Sequence, residues 1–242
     1  MQTGKAGHCI FAICHIYLTS QLLISFRSMD TAKPQRWKRR KAARPHEILE
    51  AAMGVFAQKG FARTRMEDIA REAGVTKGTI YLYFDNKVAV FESLVRESIG
   101  SALGQVIDNV DRFEGSSREL LRFALTAIAR FVLMSDRAVL PKIVVAEAGN
   151  FPEMVRFYRT EVIDNGLALL SRVFTRGVER GEFRPRAPQH VARLCIAPLL
   201  LAAIWRTTFA QFDSEDYDYD GLIETHIDVL LRGLAAEEEP SS

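Results

Sequence analysis

The chain of 242 residues has few of the features that indicate a disulfide-stabilised, metal-binding or catalytic protein. Its three cysteines, Cys9, Cys14 and Cys195, are too few for a disulfide framework and have no partners at zinc-finger spacing. A reducing, cytoplasmic compartment is therefore expected. The sequence also lacks a serine–histidine–aspartate ordering, a glycine-rich phosphate loop and a paired-carboxylate motif. These absences predict that the protein is not an enzyme and needs no cofactor.

One acidic segment begins like a calcium loop but does not complete it. Residues 216–227 (DYDYDGLIETHI) have acids at the first, third and fifth positions and glycine at the sixth. The position that must supply a bidentate glutamate, however, is Ile227. Because acids also favour the positive end of a helix dipole, the segment is interpreted as a helix start, and no metal site is expected.

Strand-like alternation and internal repeats are absent as well, and apolar residues recur at helical spacing along most of the chain. The predicted fold class is therefore all-α. Charge is distributed unevenly: from Lys33 to Lys87, thirteen Lys and Arg stand against six Asp and Glu, a net charge of +7, whereas residues 88–242 carry a net −6. Such an asymmetry is expected when one part of a protein meets a polyanion and the other part has a different role.

The chain begins with an apolar stretch that is excluded from the fold prediction. Cys9–Phe26 is apolar at thirteen of eighteen positions, but its polar interruptions make it a poor membrane-spanning helix. Two interpretations stay open: residues 1–28 are a mis-assigned start before Met29 or a disordered extension, or they target a membrane. The second would make the protein a membrane-associated helical module. Residues 29–44 follow as a basic arm, which is predicted to be disordered.

Residues 45–92 have the pattern of a helix-turn-helix domain. Pro45 suits a first helical turn, and Gly60 ends the helix that follows. Thr64 and Glu67 are spaced as a capping box for a second helix, which Gly74 stops. Two short helices joined by a tight glycine-containing turn are the outline of this motif.

The stretch Gly74–Lys87 (GVTKGTIYLYFDNK) predicts a helix capped by Thr76 that buries Ile80 and Phe84. Its other faces carry hydrogen-bond donors, and Gly78 would let the helix settle close against another surface. A short, polar helix of this kind fits the DNA major groove. Lys77 and Thr79 are the predicted contacts to base edges. The predicted contacts to phosphate are Thr64, Tyr83 and Lys87, while Tyr81 suits either role.

These residues carry a family resemblance. The segment His46–Leu94 resembles the DNA-binding domain of the TetR (tetracycline-repressor-like) transcriptional regulators in the ordered pattern F…GF…T…IA…AGV…GT.Y.YF..K. The resemblance implies an all-helical homodimer with N-terminal DNA-reading heads and a C-terminal ligand-binding and dimerisation body, in which a small molecule releases the DNA. Arg65 stands where the family often has Ser or Thr, and it can still reach phosphate. The predicted DNA contacts are Thr64, Arg65, Thr76, Lys77, Gly78, Thr79, Tyr81, Tyr83 and Lys87, with Arg39 and Arg40 in the arm.

Residues 93–235 read as a helical body, with a tail at 236–242 predicted to be disordered. Ser116 and Glu119 form a capping box, and one long helix is predicted from Pro152 to Gly181. Helices at about 188–209 and 221–234 are the predicted dimer interface; the first carries small residues suited to close approach, Ala192, Ala197, Ala202 and Ala203. An apolar or amphipathic effector would meet aromatic and sulfur-containing side chains, with Phe123, Phe131, Met134, Phe157 and Trp205 as candidates.

The sequence therefore predicts a cytoplasmic, sequence-specific DNA-binding transcriptional regulator. The predicted partners are a double-stranded DNA operator, a second copy of the chain and a small-molecule effector, with no membrane partner. The predicted mode of action is repression, relieved when the effector releases the protein from its operator.

Overall fold

The computed structural model describes the backbone of residues 35–110 and 112–236, and the side chains of residues 45–98, 110 and 112–236. Over these ranges the protein is helical, as predicted, with one isolated antiparallel bridge between Phe183 and Ala235. The α-helices are α1 Gln35–Lys59, α2 Met66–Glu72, α3 Lys77–Tyr81, α4 Lys87–Val110, α5 Ser117–Leu133, α6 Val139–Ala146, α7 Pro152–Tyr158, α8 Asn165–Glu179, α9 Pro188–Thr208 and α10 Tyr219–Leu234. Residues 1–28 and all of the predicted tail except Ala236 lie outside the described ranges.

Helix α1 begins earlier than predicted. It starts at Gln35, so residues 35–44 of the basic arm are helical and the prediction of disorder is corrected there. Lys, Arg and Ala dominate this segment and are good helix formers. Pro45 lies inside the helix, where its ring costs one backbone hydrogen bond. The helix ends where predicted, because Gly60 has a φ of 77°, a left-handed conformation that glycine adopts without strain.

Helix α2 begins one residue later than its predicted cap requires. Arg65 is the N-cap residue, and its backbone N–H donates to the Asp68 carboxylate at 3.1 Å. The Thr64–Glu67 capping box is therefore wrong: Thr64 is still part of the preceding turn, where its hydroxyl donates to the Gly60 carbonyl at 2.8 Å. The predicted stop at Gly74 is confirmed, with a φ of 63°.

Two apolar cores organise the described part of the chain. The first combines residues of α1–α4, such as Phe56 and Phe91, with residues of α6 and α7, such as Ile143 and Tyr158. The second lies among α5, α8, α9 and α10. The head predicted at residues 45–92 thus shares its core with two helices of the body.

Local signals in the body are largely confirmed. The Ser116 hydroxyl accepts from the Glu119 N–H at 3.2 Å, while Glu119 accepts from the Ser116 N–H at 3.0 Å. The acids before α10 mark a helix start, since Asp218 accepts from the Gly221 N–H at 2.8 Å. The long helix predicted after Pro152 is confirmed as a continuous helical stretch that ends at Glu179, in which a π-helical segment at Arg159–Asp164 joins α7 to α8.

Candidate DNA-binding surface

The recognition helix α3 is anchored in the core by two buried side chains. Ile80 is fully buried and Phe84, just after the helix, is nearly so. Thr76 caps the helix as predicted, because its hydroxyl accepts from the Thr79 N–H at 3.2 Å. Burial of one face and a firm N-terminal cap hold this five-residue helix in place and leave its other face outward.

The outward face of α3 carries most of the predicted base-reading residues. Thr76, Lys77, Gly78 and Tyr81 are exposed, whereas Thr79 and Tyr83 are half-buried. A Cβ atom built on Gly78 would meet only the Thr76 hydroxyl, at 3.9 Å. The space outside this glycine is therefore open, so its missing side chain favours close approach by another molecule.

Lys77 is paired with Glu67, the residue that the sequence predicts as part of the capping box of α2. Its Nζ lies 2.6 Å from Glu67 Oε1, and both side chains are largely exposed. The hydrogen bond from Lys77 lowers the pKa of Glu67, and the same bond raises the pKa of Lys77. Glu67 is available for this pairing because Asp68 makes the capping contact instead. The pair places a negative charge beside the main predicted base-reading cation.

Thr64, predicted to contact phosphate, is turned inward. Its side chain is only 2% exposed and its hydroxyl is bonded to Gly60. The prediction is corrected, since a buried hydroxyl cannot reach a phosphate. Arg65 is exposed at the start of α2, near Glu67, where the predicted phosphate contact stays sterically open.

Lys87, also predicted to contact phosphate, is bonded within the protein. Its Nζ donates to the carbonyls of Phe61 and Ala62, each at 2.8 Å, and to that of Thr64 at 3.3 Å. Burial lowers the pKa of this amine. The amine bonds the turn between α1 and α2, and its contact with phosphate stays a prediction.

Asp68 fixes α2 against α1. Its carboxylate lies 2.7 Å from both Lys59 Nζ and Arg71 Nη2 and accepts from the Arg65 N–H. These bonds, that from Lys59 foremost, lower the pKa of Asp68 to about 2. Arg39 and Arg40 lie in the first half of α1, and their side chains fall outside the described residues.

The five side chains predicted to line a ligand cavity do not come together. Phe131 packs under the Arg137 guanidinium and Phe157 beside that of Arg96, with centroid distances of 5.7 and 4.5 Å. Trp205 lies on the surface of α9, donating to Asp213 at 3.1 Å, so its assignment to a cavity is corrected. The remaining two, Phe123 and Met134, are exposed. The five residues are distributed over three helices, α5 with its C-terminal end, α7 and α9, which composition alone could not reveal.

Helix α9 has one buried and one exposed apolar face. Three of its four predicted interface alanines (Ala192, Ala202 and Ala203) are buried within the subunit, which corrects their assignment to a dimer contact. The exposed face carries large apolar side chains instead, namely Leu194, Leu201, Trp205 and Phe209. Among the described helices, α9 is the one that by length and composition could cross a membrane, and a third of its most apolar window is buried inside the protein.

Comparison with known proteins gives two family matches that together span most of the described chain. Residues 48–94 match the model of bacterial regulatory proteins of the tetR family, and residues 114–218 match that of the tetracyclin repressor-like C-terminal domain. The fatty acid metabolism regulator protein of Bacillus subtilis (strain 168) is 27% identical over 188 residues, which cover 78% of this chain and 94% of that protein.

Solved structures share the fold. The crystal structure of the regulator FadR from Bacillus subtilis in complex with stearoyl-CoA has a TM-score of 0.66 and 22% identity, and it covers 78% of this chain and 98% of that chain. A regulator from Saccharomonospora viridis in complex with choline also has a TM-score of 0.66, with 20% identity and coverage of 81% and 100%.

An all-helical chain whose head presents a short polar recognition helix belongs to the class of helix-turn-helix regulators. This chain belongs to the TetR family, as its head and body both match models of that family. The protein is a DNA-binding transcriptional regulator.

Proposed function

We propose that the protein is a homodimeric repressor that inserts α3 of each subunit into successive major grooves of a roughly palindromic operator. The observation that carries the proposal is the outward face of α3. This face carries Lys77 and the open space at Gly78, while Ile80 and Phe84 are buried and anchor the helix in the core. Lysine suits the O6 and N7 atoms of guanine, and the methyl group of Thr79 suits thymine. Arg65 and Tyr83 would contact the flanking phosphates.

The exposed face of α9 supports dimerisation together with α10. Leu201 is 63% exposed on α9, and Val229 is 65% exposed on α10. Large apolar side chains of this kind at one surface are typical of a protein–protein contact. Pairing α9 and α10 with the same helices of a second subunit would form a four-helix interface with two-fold symmetry. Such a dimer would place the two α3 helices about one DNA turn, or a multiple of it, apart.

The effector we propose is a long-chain acyl-CoA thioester. The proposal draws on the Bacillus subtilis relative, which is named a fatty acid metabolism regulator, and on the related FadR structure that contains stearoyl-CoA. Its acyl chain fits the apolar or amphipathic effector that the sequence predicts. Binding would favour a body conformation that moves the heads out of register with the grooves. By linkage, operator DNA must weaken effector binding by the same factor.

Fluorescence anisotropy with the full chain tests the proposal. We expect the protein to prefer fragments of its own promoter region over random DNA at physiological salt. Stearoyl-CoA should release the bound fragment, whereas free CoA and stearate should release it less well. Choline, which occupies the related regulator from Saccharomonospora viridis, tests a different effector class. Equal binding to promoter and random DNA would overturn the assignment of an operator-specific repressor.

Cell fractionation tests the proposed cytoplasmic location. The native protein should appear wholly in the soluble fraction. Recovery with the membrane would favour the alternative that the apolar stretch at residues 9–26 anchors the chain.

A further inference from the structure

The turn at residues 60–64, between α1 and α2, is bonded to a carboxylate of the body. Glu147, the residue that follows α6, accepts through Oε1 from the Ala62 N–H at 3.0 Å. Its second oxygen accepts from the Asn150 side-chain amide at 3.1 Å. Only 9% of Glu147 is exposed. One well-shielded carboxylate thus joins the segment before the recognition motif to the loop between α6 and α7.

Aromatic packing closes the same junction. The rings of Phe61, in the turn, and Phe151, at the start of α7, meet edge to face with centroids 4.9 Å apart. Lys87 Nζ lies over both rings, at 4.8 and 5.0 Å from their centroids. Because Lys87 belongs to α4, the turn is bonded both to α4 and, through Glu147 and Phe151, to the body.

The charges at this junction are complementary. Glu147 attracts the Lys87 amine and acts against the loss of its proton, while burial acts in the opposite direction and dominates. A shielded carboxylate is costly unless its oxygens are hydrogen-bonded, and both oxygens of Glu147 are. Moving α6 and the loop after it relative to the head would break the bond to Ala62 and expose the carboxylate. The contacts at this junction therefore favour one orientation of the head on the body over nearby orientations.

We propose that Glu147 is a positioning residue that sets the orientation of the DNA-reading head on the body, and thereby the separation of the two α3 helices in the dimer. Glu147 does not touch DNA. This inference rests on the proposed function, because the separation matters only to a dimer that reads two half-sites. Displacement of α6 or α7 by an effector would then be transmitted to the head through this residue.

Operator spacing distinguishes positioning from general stability. Wild-type protein, Glu147→Ala and Glu147→Gln are compared on the natural operator, on operators lengthened by one and two base pairs between half-sites, and on a single half-site. Glutamine keeps an oxygen that accepts from the Ala62 N–H. The matched control is Glu153→Ala, which removes an exposed carboxylate of α7.

For Glu147→Ala we expect about tenfold weaker binding to the natural operator, because a loosely held head no longer presents α3 at a fixed distance from its partner. For the same reason, inserting base pairs between the half-sites should weaken binding less than it does for the wild type. Binding to the single half-site should change by less than about twofold, because each head is intact. Glu153→Ala should behave as the wild type, whereas Glu147→Gln, which keeps one acceptor oxygen but loses the negative charge beside Lys87, should lie between the wild type and Glu147→Ala.

Two results with Glu147→Ala on DNA would overturn the inference. One is that operator binding by Glu147→Ala depends on half-site spacing as strongly as binding by the wild type. The other is an equal loss on every DNA together with a lowered melting temperature, which would mean that Glu147 only stabilises the fold. Should Glu147→Ala fail to fold, Phe151→Leu replaces it, since leucine keeps the apolar contact but loses the edge-to-face geometry. A folded Phe151→Leu with unchanged spacing dependence would also overturn it.

Hydrogen exchange without DNA separates this inference from the proposed function. If the wild-type protein prefers no promoter fragment, the proposed repressor is wrong, and exchange then decides the role of Glu147. Faster exchange confined to residues 60–66 in Glu147→Ala, and smaller in Glu147→Gln, supports the positioning role. Unchanged exchange in that segment contradicts it.

Discussion

The outward face of α3 and the turn at residues 60–64 both involve donors that the sequence assigns to DNA, and the structure uses them in opposite ways. On α3, Lys77 is exposed, forms a surface ion pair with Glu67 and lies over the ring of Tyr81. At the turn, the Thr64 hydroxyl and the Lys87 amine are bonded to backbone carbonyls. A donor bonded to shielded backbone carbonyls is costly to redirect to a nucleic acid, whereas an exposed ion pair is exchanged at little cost.

The largest effect should come from reversing the charge on the outward face of α3. Lys77→Glu should weaken operator binding by about 100-fold or more, because it removes a contact to guanine worth about 1–3 kcal/mol and adds repulsion by phosphate. Anisotropy titration measures the change. Arg159→Glu, a reversal that breaks an exposed ion pair with Asp164 in the body, should leave binding within about twofold. Similar losses in the two variants would contradict the role of Lys77.

Removing the Lys87 amine, which bonds the turn at residues 60–64, should mainly lower the stability of the fold. Lys87→Met should lower the free energy of unfolding by about 1–3 kcal/mol, because carbonyls at the turn lose their donor. Denaturant titration measures the loss. The salt dependence of DNA binding should keep its slope, whereas a lost phosphate contact would reduce the slope by about one. A reduced slope with unchanged stability would support the predicted phosphate contact of Lys87.

A hydroxyl deletion at the turn should have a smaller effect of the same kind. Thr64→Val preserves the shape of the side chain but loses the bond to Gly60, so we expect a loss of about 1 kcal/mol in the free energy of unfolding. Operator affinity should stay within about twofold once measurements are made well below the melting temperature. A uniform loss on all DNA from a fully stable Thr64→Val protein would mean that the hydroxyl turns outward in the complex.

Releasing Lys77 from its carboxylate should strengthen DNA binding slightly. Glu67→Gln removes an exposed negative charge beside the recognition helix and should tighten binding to operator and random DNA by about two- to fivefold, as befits a surface ion pair. Glu72→Gln, the same change at the exposed end of α2, is the matched control. Weaker operator binding by Glu67→Gln would show that Glu67 itself reads a base.

The smallest expected effect is the pH dependence of the stability that Asp68 contributes. The lowered pKa of Asp68, about 2, lies below the value of about 3.9 expected in the unfolded chain. Its contribution to stability is therefore complete above about pH 5 and is lost as the pH falls toward 2. The difference in unfolding free energy between wild type and Asp68→Asn should be constant from neutral pH to about pH 5 and shrink below it. A difference that grows on acidification would contradict this ion-pair account.

Contacts that span a few residues were predictable, and contacts across the fold were not. The cap from Thr76 to Thr79 and the box from Ser116 to Glu119 join residues within one turn, so local pattern finds them. Even there, a shift of one residue made Asp68 rather than Glu67 the partner at the start of α2. Glu147 carried no signal in the sequence, because its partner Ala62 is 85 residues away.

The amino-acid sequence by itself determined the helical class, the identity of the recognition helix and its buried face, since periodicity and capping act over a few residues. It also determined the family, through a pattern confined to about fifty residues. Tertiary structure alone decided which polar side chains are free for DNA: Thr64 and Lys87 are used internally, and Lys77 is paired with Glu67. The physical reason is that a hydrogen-bonding group is satisfied by whichever partner the packed chain brings near it, and that partner is set by the packing of distant helices.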